Sequence, residues 1–140
     1  MTLSSPMTWI RVSVIVQLVG LAIDGVWHGL LEPGAEPDTF DQMLVLYLGI
    51  IGLFASTAWA LVDRARRGTV GLALPVAFTG ALIQTVAETW HAWMHLRLRP
   101  GPIPEAFALG GLVVAIAALL AARRGVARSV RDDVSRRPAA

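Results

Sequence analysis

Gln17, Asp24, His28 and Glu32 recur along one otherwise apolar segment at steps of seven, four and four residues. Gln84, Glu88, His91 and His95 recur along another at steps of four, three and four. Side chains at these spacings share one face of a helix. Each segment therefore carries a single polar stripe. An ionisable group in hydrocarbon costs about 2.5–3.5 kcal/mol, so such residues face a partner, a cavity or a ligand. The spacings Asp24-x-x-x-His28 and His91-x-x-x-His95 let two donors on one helix reach one ion. Neutral imidazole and carboxylate suit Zn²⁺, Cu²⁺ or Fe. The candidate metal ligands are Asp24, His28, Glu32, Glu88, His91 and His95. Carboxylates that do not bind directly orient imidazole N–H groups instead.

Glu88-x-x-His91 resembles half of the Glu-x-x-His pattern of di-iron carboxylate bundles. The first segment offers Asp24-x-x-x-His28 in place of the other half. That spacing resembles the Asp/His copper ligands in a membrane subunit of particulate methane monooxygenases. Each likeness covers two residues and implies a metal centre between helices. A separate reading pairs His28 and His91 as axial ligands of a b-type haem in a quinone-linked subunit. A third has no cofactor: carboxylate–histidine pairs bind protons in a transporter or accessory subunit, which with four spans would act as a homodimer or within a larger membrane complex.

The elements that must position these residues follow from hydropathy. The chain has 140 residues, is 55% hydrophobic and only 16% charged, and its mean hydropathy is +0.60. A soluble domain carries more charge than this. Four apolar runs, at about 9–31, 42–62, 70–96 and 106–122, approach the roughly 20 residues that cross a bilayer. The expected fold is all-α: a four-transmembrane-helix bundle over 1–125, then a flexible basic tail over 126–140. Pro75 is expected to kink the third run. Arg99 to Pro104 reads as a stiff turn. Gly49, Gly52, Gly110 and Gly111 suit close helix packing in lipid.

All twelve basic residues are arginine, a composition that fits a GC-rich bacterial genome. Arg11, the second loop (Arg64, Arg66, Arg67) and the tail are basic, whereas the first loop holds Glu32, Glu36, Asp38 and Asp41. The positive-inside rule then places both termini in the cytoplasm, in a multi-pass protein of the bacterial inner membrane. The acidic loop faces outward, where it favours cation entry. Trp9 and Trp59 fall at the inner interface, and Trp27, Trp90 and Trp93 towards the outer one. Arg97 and Arg99 are expected to snorkel or to pair with the acidic loop. The first run is too long and too polar for a cleaved signal peptide, so it reads as a retained span.

Trp27-His28 aligns with Trp90-His91 at an offset of 63, and Ala-Arg-Arg-Gly occurs at 65–68 and 122–125. A tandem repeat of two-helix units accounts for both. The chain contains no cysteine, which excludes disulfides and thiolate ligands. It also holds no nucleophilic triad, phosphate-binding loop or nucleic-acid module. Any enzymatic role would be metal-assisted.

Overall fold

The computed structural model describes residues 5–26, 40–97 and 102–136, with side chains over 5–26, 43–94, 97 and 103–121. The described residues form four helices and no strand: α1 (Pro6–Val26), α2 (Phe40–Arg66), α3 (Ala73–Leu96) and α4 (Pro102–Arg136). Three of the spans Pro6–Val26, Met43–Arg66 and Ile103–Ala121 are long and apolar enough to cross a membrane. The third helix is long enough, with 24 residues, but it carries the second polar stripe and falls short on hydropathy. The membrane character is thus uneven, and the helix outside these three spans is the one that holds Gln84, Glu88, His91 and His95.

Local chemistry sets the helix ends. Ser5 accepts from the amides of Thr8 and Trp9, and Pro6 occupies the first helical position, where a missing N–H is harmless. Gly68 ends α2 in the left-handed region, at φ +65°. Its amide donates to Ala65 O, and the Thr69 amide donates to Arg64 O, so the last carbonyls are satisfied by a Schellman motif. Pro75 lies in the first turn of α3, where no intrahelical donor is needed; the expected kink is therefore not required there. Pro102 and Pro104 likewise open α4, which shortens the expected proline turn. The backbone of α4 stays helical through Arg136, well past the apolar portion that ends at Ala121.

Packing is uneven. The α1–α2 and α3–α4 pairs are close, α2 and α3 pack more loosely, and α1 does not pack against α4 among the described residues. Glycine makes the close pairs possible. A Cβ on Gly80 would lie 2.6 Å from Gly111 O, and one on Gly111 would lie 2.5 Å from Gly80 O. Both are closer than side-chain atoms approach, so these backbones touch only because the side chains are absent. Gly49 plays the same part against Gln17. Between the pairs, Ile10, Leu53, Ala60, Ala81, Leu112 and Ala115 form the buried apolar centre. Ser56 and Thr57 donate to carbonyls of their own helix, at Leu53 O, and so bury their hydroxyls without a partner helix. Trp9, Trp59, Trp90 and Trp93 are all exposed, as residues of an interfacial belt would be.

Candidate functional site

The site starts deep, with two amides. Gln17 and Gln84 are both buried. Gln17 Nε2 donates to Gly49 O at 3.0 Å, and Gln84 Nε2 donates to Gln17 Oε1 at 3.1 Å. The order is fixed by its end: the Gly49 carbonyl only accepts, so Gln17 must present its NH₂ there and its oxygen to Gln84. Gln84 Oε1 then stands last in the series, buried and without a hydrogen-bond partner among the described residues. The two polar stripes do meet at this level, across α1 and α3.

The linked glutamines also set the register of what lies above them. Asp24 is seven residues beyond Gln17, and His91 is seven beyond Gln84. At 1.5 Å per residue each is about 10 Å further along its helix. Asp24 lies within electrostatic reach of Glu88, the carboxylate that the spacing read from the sequence set beside it.

His91 is buried. Its Nε2 faces Glu105 Oε1 at 3.8 Å, beyond direct hydrogen-bonding distance. Glu88 is half-buried and lies within electrostatic reach of both Glu105 and Asp24. Three carboxylates and one imidazole, drawn from α1, α3 and α4, thus collect at one end of the bundle. The hydroxyls nearby do not join them: Thr85 donates to Ala81 O and Thr89 to Thr85 O. At the rim, the Arg97 guanidinium lies over the Trp93 ring, 4.7 Å from its centroid, a cation–π contact; the side chains of the acidic loop it was expected to pair with lie outside the described residues.

His28 and Glu32, and the side chain of His95, lie outside the described residues. Among the described residues no three His, Asp or Glu side chains are grouped closely enough to hold a metal ion. What the structure brings together is Asp24, Glu88 and His91. To these it adds Glu105, which the sequence reading missed. That reading gave α4 no carboxylate at depth, and Glu105 is instead in the first turn of α4. A signal was available: His91 and Glu105 are equally far from position 98, between two helices that a short connection joins. Antiparallel helices joined by a short turn bring such positions opposite one another.

No protein-family model matches the chain, and no curated protein or solved structure matches it. The functional reading rests on this geometry.

Proposed function

We propose that the chain is a small metal-handling protein of the bacterial inner membrane. In this reading it has four spans and cytoplasmic termini, and it captures a divalent Zn, Cu or Fe ion between α1, α3 and α4 at its outer rim. One observation carries the reading: His91 Nε2 and Glu105 Oε1 are 3.8 Å apart. Nitrogen and oxygen donors bind zinc at about 2.0–2.2 Å, so two donors at this separation span a single ion. Glu88 lies within electrostatic reach of Glu105 and Asp24 and offers a further carboxylate. Carboxylates gathered around a buried imidazole repel one another unless a cation or protons lie among them. His95, one turn beyond His91, and His28 and Glu32, beyond Asp24, are the further ligands this reading calls on.

The same reading treats the fold as two tandem hairpins. Gln17 packs against Gly49 and Gln84 against Gly111, which supports equivalent roles for α1–α2 and α3–α4. An enzymatic role would use the ion on a lipid-soluble or extracytoplasmic substrate. The haem reading draws no support from His91, whose Nε2 faces a carboxylate.

Elemental analysis of the full chain, purified in detergent after metal-replete expression, tests the proposal. About one transition-metal ion per chain is expected, with loss in His91→Ala. A metal-free wild type overturns it. A second reading, cofactor-free proton exchange, is favoured by the orphan acceptor Gln84 Oε1, one turn below Glu88. A protonated Glu88 or a water would supply its donor. It predicts pH-dependent activity in liposomes without metal.

A further inference from the structure

A groove opens along the seam where α1 and α4 fail to pack, at the end of the bundle opposite the acidic site. It has a volume of about 330 Å³. Its walls are Ile10 and Val14 of α1 and Ile116, Leu119 and Leu120 of α4, with Arg11 on its edge. Arg11 lies thirteen residues before Asp24, or about 20 Å along α1. The groove is therefore separate from the polar site and does not depend on the metal reading.

The lining is hydrocarbon-like, and the edge is a cation. Arg11 is exposed, and its fork of N–H groups matches phosphate geometry. Arg11 is the cation among the lining residues, and it stands where the apolar wall meets the helix end at which a headgroup would sit. The volume accommodates a stretch of one acyl chain but not a folded partner.

We propose that this seam is a binding site for an anionic phospholipid of the surrounding bilayer, with one acyl chain in the groove and the headgroup phosphate on Arg11. The lipid would close the side of the bundle that α1 and α4 leave open.

Native mass spectrometry of the full chain, exchanged into micelles doped with phosphatidylglycerol or with phosphatidylcholine, tests the site. Wild type is expected to retain phosphatidylglycerol in preference. Arg11→Gln should lower that retention about tenfold, as loss of a charge-assisted contact predicts. Leu120→Trp should lower it similarly by filling the groove. Leu120 is 46% exposed, so this change leaves the core alone. Arg67→Gln, which removes an exposed arginine of the same end that is paired with Asp63 at 2.8 Å, should leave retention unchanged. Equal losses in Arg11→Gln and Arg67→Gln would mean general charge attraction and overturn the site. Retention that survives Leu120→Trp, or that does not distinguish the two lipids, would overturn it as well.

Discussion

Gln84 donates to Gln17 Oε1 at 3.1 Å, joining α1 to α3 although the two helix backbones do not pack against each other among the described residues. The bond is a bridge between hairpins, made by long side chains where small ones let the neighbouring helices close up. Its contribution is measurable by a double-mutant cycle. Gln17→Leu alone strands the Gln84 amide, whereas Gln17→Leu with Gln84→Leu leaves an apolar contact. The coupling energy should be about 0.6 kcal/mol, and at most about 1.7 kcal/mol, the range found for interhelical hydrogen bonds in membranes. Unfolding titrations in mixed micelles read it directly. Strictly additive single variants would mean that the bridge carries no stability.

Adjacent glycines of α4 should respond in opposite ways. A Cβ on Gly111 meets Gly80 O at 2.5 Å and Gln84 N at 2.8 Å, whereas one on Gly110 meets nothing within 4 Å. Backbone atoms cannot rotate aside, so Gly111→Ala must separate α3 from α4 and cost about 1–3 kcal/mol. Gly110→Ala should be neutral or stabilising by up to about 1 kcal/mol, because alanine is the better helix former. Thermal unfolding of both variants in detergent checks the contrast.

Glu105 is 59% exposed on its side chain, so Glu105→Gln should fold normally. Metal affinity should nevertheless fall about 10–100-fold, whether the carboxylate binds the ion or orients His91. Titration of the stripped protein with Zn²⁺ measures this. Unchanged affinity in Glu105→Gln would remove α4 from the site.

The α2 stop depends on one backbone conformation. Gly68 sits at φ +65°, where a Cβ crowds the following carbonyl. Gly68→Ala should cost about 1 kcal/mol, and Gly68→Asn less, because asparagine tolerates the left-handed region. Unfolding midpoints of the two variants rank them.

Helix number, helix type and the small-residue seams were legible in the sequence, because each follows from composition over a long window. The meeting of the stripes was legible too, since Gln17 and Gln84 lie on the same faces as the acids. Same-face spacing fixes position around a helix but leaves sliding along it free, so the Gln84–Gln17 pairing is visible only in the fold. Glu105 escaped because it lies at the end of an apolar helix rather than on a stripe. The two Ala-Arg-Arg-Gly segments show the limit of a local motif. At 65–68 the backbone leaves the helix, and at 122–125 it stays helical. Gly68 is followed by Thr69, Val70 and Gly71, which are poor helix formers, while Gly125 is followed by Val126, Ala127 and Arg128.

The unequal stitching of the four helices also sets what holds the acidic site together. Each hairpin is fastened by backbone-to-backbone contact at its glycines, so neither pair opens without breaking many atoms' worth of attraction. The looser α2–α3 face and the open α1–α4 side form a different kind of joint. Asp24 belongs to one hairpin and Glu88 and Glu105 to the other, so among the described residues the two halves of the acidic site are held together only across the looser α2–α3 face and by the Gln17–Gln84 bond.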